Sequence, residues 1–258
     1  MKDELLIALV QPSNVYWENP TANRAELEEL LIDVVGRDLI ILPEMCTTGF
    51  SMNAPLIAEV HRTTTLKWLQ QQAAMTQATI IGGVSVKDDG RFYNRAYVVW
   101  PNGQFDWYDK RHLFGYAGEN KVYSKGDKEK IVSVEGWNIN LSICYDLRFP
   151  VSLRSQDLGY DALINIANWP QTRADQWLAL LKARAIENLS FSIGVNRQGV
   201  DGHDVEYNGG STAFTPSGRQ LSKTTDDEVI YTSLSAKDLT DFRTNFPFYK
   251  DADPFQLL

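Results

Sequence analysis

The stretch Asn140-Leu141-Ser142-Ile143-Cys144-Tyr145-Asp146-Leu147-Arg148-Phe149-Pro150 carries an apolar run into a thiol, and from the thiol toward a proline. Ile139 to Cys144 has the length and the apolar character of a buried strand. Pro150 has the fixed φ of a first helical residue, so a helix is expected from there through Val151 to Leu158. A cysteine set between a strand end and a helix N-terminus would lie in a positive local field. Such a field lowers a thiol's pKa and favours the nucleophilic thiolate.

Two other segments end a strand pattern on a reactive side chain in the same way. Ile40-Ile41-Leu42-Pro43-Glu44 ends on a carboxylate and Trp107-Tyr108-Asp109-Lys110 on an ammonium. A carboxylate, an ammonium and a thiol presented from strand ends are the parts of an acyl-transfer site. Histidine activation of the thiol is the competing possibility. Of His61, His112 and His203 none carries a supporting local motif, and His112, two residues after Lys110, reads as a pocket-wall or structural residue. Cys46 reads as a small packing residue.

Around these segments the chain alternates strand and helix patterns. Leu5 to Val10, Asp38 to Leu42, Thr79 to Val86, Ala162 to Ile166 and Ser192 to Asn196 read as strands. The apolar spacing of Ala25, Leu27, Leu30, Leu31 and Val34 predicts a helix, as does Thr65 to Met75. Asn94 to Trp100 and Gln104 to Tyr108 flank Pro101-Asn102-Gly103, a hairpin signal. After Trp169-Pro170 a further helix presents Trp177, Leu180, Leu181 and Ala185 on one face. Thr172 and Asp175 have the spacing of a capping box at its start. No linker or internal repeat divides the chain, so one α/β domain with mixed sheets is expected.

The totals exclude several classes of function. The net charge of −8 repels phosphate backbones, and no Lys/Arg cluster reverses it, so nucleic-acid binding is not expected. Two cysteines and three histidines make neither a disulfide framework nor a zinc cluster. No apolar run approaches the roughly 18 residues that span a membrane, and Met1-Lys2-Asp3-Glu4 does not read as the start of a signal peptide. A cytoplasmic location is expected.

These residues also carry a resemblance. Leu42-Pro43-Glu44, Tyr108-Asp109-Lys110-Arg111-His112-Leu113-Phe114 and Cys144-Tyr145-Asp146-Leu147-Arg148-Phe149-Pro150 are similar to the base, lysine and nucleophile motifs of the nitrilase superfamily of carbon–nitrogen hydrolases. Ala167-Asn168-Trp169-Pro170 and Ala183-Arg184-Ala185-Ile186-Glu187-Asn188 extend the match, which is nearest to the bacterial ω-amidases. The resemblance implies a four-layer α-β-β-α sandwich over residues 1–258 that needs no metal or organic cofactor. It implies Cys144 as nucleophile, Glu44 as general base, Lys110 as oxyanion donor and Glu119 as a second active-site glutamate. The backbone N–H of Tyr145 would be the other oxyanion donor, and Tyr145, Trp169 and Phe114 would border the substrate.

The reaction implied is hydrolysis of the terminal amide of a small carboxylate such as 2-oxoglutaramate or 2-oxosuccinamate. Tyr145 stands where nitrile-cleaving relatives carry tryptophan, which favours amides. An N-carbamoyl-amine hydrolase or a nitrile hydrolase on the same scaffold is the alternative. A small anion entering a protein of this charge needs a local guanidinium. Arg173, at the pocket border, is the candidate, whereas Arg148 and Arg197 read as structural ion pairs beneath the site. The Trp177, Leu180 and Leu181 face, with the resemblance, suggests a homodimer or higher homo-oligomer.

Overall fold

Runs of Val, Ile and Leu become strands, and the 3.6-period stretches between them become helices, in a computed structural model that describes residues 1–222 and 225–256. Chain order is β1 (Glu4–Val10), α1 (Pro20–Leu31), β2 (Leu39–Ile41), α2 (Ala54–Ile57), β3 (Glu59–Val60), α3 (Thr64–Thr76), β4 (Thr79–Asp88), β5 (Arg91–Val99), β6 (Phe105–Asp109), α4 (Glu119–Val122), β7 (Ile131–Val134), β8 (Trp137–Ile143), β9 (Ala162–Ile166), α5 (Ala174–Asn188), β10 (Phe191–Val195), β11 (Gln198–Val200), β12 (Glu206–Asn208), β13 (Thr212–Phe214), β14 (Val229–Ser235) and α6 (Ala236–Asn245).

Two mixed sheets form the centre. One has the order β14-β1-β2-β4-β5-β6, with β3 beside the far end of β4, and the other β13-β10-β9-β8-β7. Within the first, β1, β2 and β4 run parallel, and β4, β5 and β6 form an antiparallel meander. Within the second, β8, β9 and β10 are parallel, with antiparallel edges.

Side-chain alternation explains why the strands read as unbroken apolar runs. Ile7, Leu9, Ile41 and Ile81 point toward Ile139, Leu141, Ile164 and Ile193 of the facing sheet. Their neighbours Ala8, Val10, Ile40 and Ile80 point the other way, onto Leu27 and Leu31 of α1 and Leu66 and Leu69 of α3. Helix α5 covers the outer face of the second sheet through Trp177, Leu181 and Ala185. The layers are α-β-β-α, as the resemblance implies. No helix among the described residues is long and apolar enough to cross a membrane.

Three local expectations are corrected. Pro150 starts only a four-residue 3₁₀ turn, Pro150–Leu153, and no helix continues to Leu158. Helix α5 begins at Ala174 after Arg173, with no side-chain cap, so Thr172 and Asp175 form no capping box. Trp177 and Leu181 are fully covered by the chain's own residues. The face offered for self-association is therefore largely the inner face of α5.

One glycine is dictated by the approach of two backbones. A Cβ on Gly83 of β4 would lie 2.6 Å from the Glu44 Cα and 2.7 Å from the Met45 nitrogen. Neither backbone atom can yield as a flexible side chain would. Gly83→Ala is expected to lower stability by roughly 1–3 kcal/mol, the scale of overpacking, read as a drop of several degrees in melting temperature. An unchanged melting temperature would show that the Glu44 turn can move aside freely.

Candidate active site

Each strand end delivers its side chain through a constrained turn. Glu44 follows β2, and the next residue, Met45, has φ +44°. Lys110 follows β6, and its N–H donates to the Asn94 carbonyl of β5 at 2.9 Å. Cys144 follows β8 and opens a 3₁₀ turn, Cys144–Arg148, with φ +45°. A left-handed backbone at a residue other than glycine is a strained conformation held by its surroundings.

The Asp146 carboxylate does much of that holding. Oδ2 accepts the Ile143 N–H at 3.0 Å and the Tyr108 hydroxyl at 2.8 Å. Oδ1 accepts the His112 N–H at 2.8 Å and lies 2.8 Å from its Nδ1. The thiol-bearing turn is thereby tied to the strand end that carries Lys110. His112 also stacks on Phe149, 3.9 Å between ring centres, so it is structural.

Glu44, Lys110 and Glu119 form one buried cluster, each at most 1% exposed. Lys110 Nζ donates to Glu44 Oε1 at 2.8 Å and to Glu119 Oε2 and Oε1 at 2.9 and 3.1 Å. Asn94 Nδ2 donates to Glu44 Oε1 and to Glu119 Oε1. Glu44 Oε2 accepts the Asn168 N–H at 2.9 Å, and Glu119 Oε2 the Phe114 N–H at 2.6 Å. Cys144 Sγ lies 3.7 Å from the Asn168 carbonyl oxygen, so the thiol and the Glu44 carboxylate meet the two backbone polar groups of one residue.

The electrostatics correct the expectation for the thiol. Burial pushes Cys144 well above the ordinary thiol range, and the Glu44 carboxylate pushes it further, against the pull of Lys110. No long helix follows the cysteine to supply a compensating field. Burial and the nearby carboxylate both favour the neutral thiol over the thiolate. Burial works against the Lys110 ammonium, yet Glu119 and Glu44 outweigh it and hold its pKa above the usual value. Burial raises Glu119, with the Lys110 charge opposing it. Cys46 is packed among α1, α3 and the first sheet, its thiol pushed up to about 12 by burial.

Cys144 opens onto a cavity of about 560 Å³. Its lining includes Phe50, Phe114, Tyr145, Asn168 and Trp169, the cations Arg148 and Arg173, and the carboxylates Asp201, Asp204 and Glu206. Four sequence-derived candidates, Tyr145, Trp169, Arg173 and Phe114, thus do border it. Arg148 is corrected from a structural ion pair to a wall residue, its guanidinium 4.9 Å from the Trp169 ring centre. Arg197 forms no ion pair among the described residues either: it donates to the Gln198 and Val200 carbonyls and lies over the Tyr207 ring.

Asn94 had no local signal in sequence, whereas Asn168 falls within the Ala167-Asn168-Trp169-Pro170 match. Asn94 and Asn168 hold the carboxylates, and Asn196 bonds both the N–H and carbonyl of Trp169. The β11–β12 hairpin forms the opposite wall with Asp201, His203 and Tyr207, whose hydroxyl donates to Asp201 at 2.9 Å.

The chain belongs to the carbon–nitrogen hydrolase family, whose description matches residues 6–244. It is 38% identical over 255 residues to the omega-amidase YafV of Escherichia coli strain K12, covering 98% of each chain. It is 32% identical to a 2-oxoglutaramate amidase of Bacillus subtilis strain 168, covering 83% of this chain and 84% of that one. A crystal structure of XC1258 from Xanthomonas campestris, a CN-hydrolase superfamily protein with an arsenic adduct in its active site, superposes with a TM-score of 0.96. That chain is 40% identical, with full coverage of both.

Removing the Asp146 carboxylate would strand three donors, those of Ile143, Tyr108 and His112. Asp146→Ala is expected to lower unfolding free energy by roughly 3 kcal/mol or more, given about 1–3 kcal/mol for each unsatisfied buried group. Urea unfolding checks it, and a loss below about 1 kcal/mol, ordinary for point substitutions, would show that the turn is held elsewhere.

Proposed function

We propose that the protein is an ω-amidase that hydrolyses the terminal amide of 2-oxoglutaramate or 2-oxosuccinamate to the oxo diacid and ammonia through a thioester on Cys144. The observation that carries this reading is charge placement in the cavity. Arg148 and Arg173 border the pocket of the thiol, and neither guanidinium has a carboxylate partner among the described residues. A distal substrate carboxylate is the anion that fits there, with the amide directed at Cys144. The names of the two amidase relatives support the same substrate class.

In the proposed chemistry Glu44 takes the thiol proton as Sγ attacks the amide carbon. The carbonyl oxygen becomes an oxyanion facing Lys110 and the Tyr145 N–H. The three ammonium hydrogens face Glu44 Oε1, Glu119 Oε2 and Glu119 Oε1, and the longest of these bonds, 3.1 Å to Glu119 Oε1, is the one the oxyanion would displace. Glu44 passes its proton to the departing nitrogen, and ammonia leaves the thioester. Water, deprotonated by Glu44, then adds to the thioester carbon, and collapse expels the thiol, which regains its proton.

Ammonia release across 2-oxo acid amides, ureido acids and nitriles tests the assignment, with the ω-amides of 2-oxo acids expected to be fastest. Faster turnover of a ureido acid would move the protein to the carbamoyl-amine hydrolases. Arg173→Ala is expected to raise KM for 2-oxoglutaramate by an amount worth about 2 to 4 kcal/mol while changing an uncharged amide much less. Equal losses on both would mean that Arg173 supports the fold instead. Lys110→Met should lower kcat far more than it raises KM. A variant that binds weakly but turns over normally would make Lys110 a substrate anchor.

A further inference from the structure

Asn94 lies on β5, fully buried, with its amide nitrogen between two carboxylates. Nδ2 donates to Glu44 Oε1 at 2.7 Å and to Glu119 Oε1 at 2.8 Å. Lys110 Nζ reaches the same two oxygens, at 2.8 and 3.1 Å. The four atoms alternate acceptor and donor around a closed ring. An asparagine nitrogen carries two hydrogens, and both are used here. The reversed amide would set Oδ1 against two carboxylate oxygens, so the surroundings fix its orientation. Oδ1 itself is left buried without a partner.

Two carboxylates this close and this deeply buried tend to hold one proton between them, because like charges resist joint ionisation. Lys110 offsets one of the two negative charges. Among the described residues the other is met by neutral donors, namely Asn94 for both residues, the Phe114 N–H for Glu119, and the Asn168 N–H and side-chain amide for Glu44. An N–H bonds more strongly to an oxygen that carries no proton, because the acceptor then bears the carboxylate charge. Taking Glu44 as the general base, as in the function proposed above, we propose that Asn94 is a positioning residue that keeps the facing oxygens of Glu44 and Glu119 unprotonated, and so keeps Glu44 able to accept the Cys144 proton. The carbonyl of the same residue accepts the Lys110 N–H, so one strand position sets both the ammonium and the carboxylate pair.

The charged and titratable groups facing Glu44 are Lys110 at the end of β6, Glu119 of α4, Cys144 after β8 and Tyr123 just past α4. Burial holds the Tyr123 hydroxyl in its neutral form. The carboxylates titrate as a unit, and loss of their shared neutral donor raises the proton affinity of the pair. Its base form is then present only at higher pH, so reactivity is lost earlier on acidification.

The test follows the pH dependence of Cys144 alkylation by iodoacetamide, by mass spectrometry, in the unaltered chain, Asn94→Leu, Asn94→Ser and Glu44→Gln. No substrate is involved, so the choice of amide does not enter. Asn94→Leu should move the acid-side midpoint of the rate upward by about one pH unit or more, tenfold in proton affinity. Asn94→Ser, smaller and with one hydroxyl to donate, should move it the same way by less, and it serves where the leucine variant does not fold. Slower alkylation at every pH with an unmoved midpoint, in a Glu44→Gln background that does change the profile, would overturn the role of Asn94 alone. A Glu44→Gln profile identical to that of the unaltered chain would overturn the general-base reading and the proposal together.

Discussion

The ammonium of Lys110, held out of water between Glu44 and Glu119, is the interaction on which the site depends. An isolated buried ammonium would lose its proton, and two isolated buried carboxylates would each gain one. Together they meet one another's hydrogen-bonding needs, and Asn94, Asn168 and the Phe114 N–H complete the set. Such a cluster contributes little net stability, since desolvation offsets much of the attraction. What it provides is a fixed charge pattern beside the thiol.

The fold is the means of bringing that pattern together. Glu44 and Lys110 come from ends of the first sheet, and Cys144 and Asn168 follow strands of the second. The sheets are held face to face by an apolar interface that leaves little freedom to slide. Asp146 and Asn168 then stitch the two sets of strand ends across the interface. Preorganisation here is a consequence of sheet packing and does not rely on loop closure.

Much of this was legible in the sequence. The Ile40-Ile41-Leu42 and Ile139 to Ile143 runs announce buried strands, the Pro101-Asn102-Gly103 hairpin lies as read, and the reactive residues stand just beyond strand ends. What escaped is set by contacts distant in sequence. Asn94 is an ordinary polar strand residue until Glu44 and Glu119 reach it from 50 and 25 residues away. The turn after Cys144 tightens to 3₁₀ while the Asp146 side chain captures the Ile143 N–H, which local proline chemistry does not reveal. The thiol's raised pKa follows from burial and a nearby carboxylate, and so reverses the field argument. Helical spacing identified the apolar face of α5, but not that its own sheet covers Trp177 and Leu181.

A thiol whose pKa is raised by burial needs a base if it is to attack, and the central claim is that the acyl group passes through Cys144. The most direct measurement is mass spectrometry of the protein quenched in acid during turnover of 2-oxoglutaramate, followed by peptide mapping. The expected result is an adduct equal to the substrate less ammonia, confined to the peptide that contains Cys144. An adduct on Cys46, or full turnover by Cys144→Ala, would contradict it.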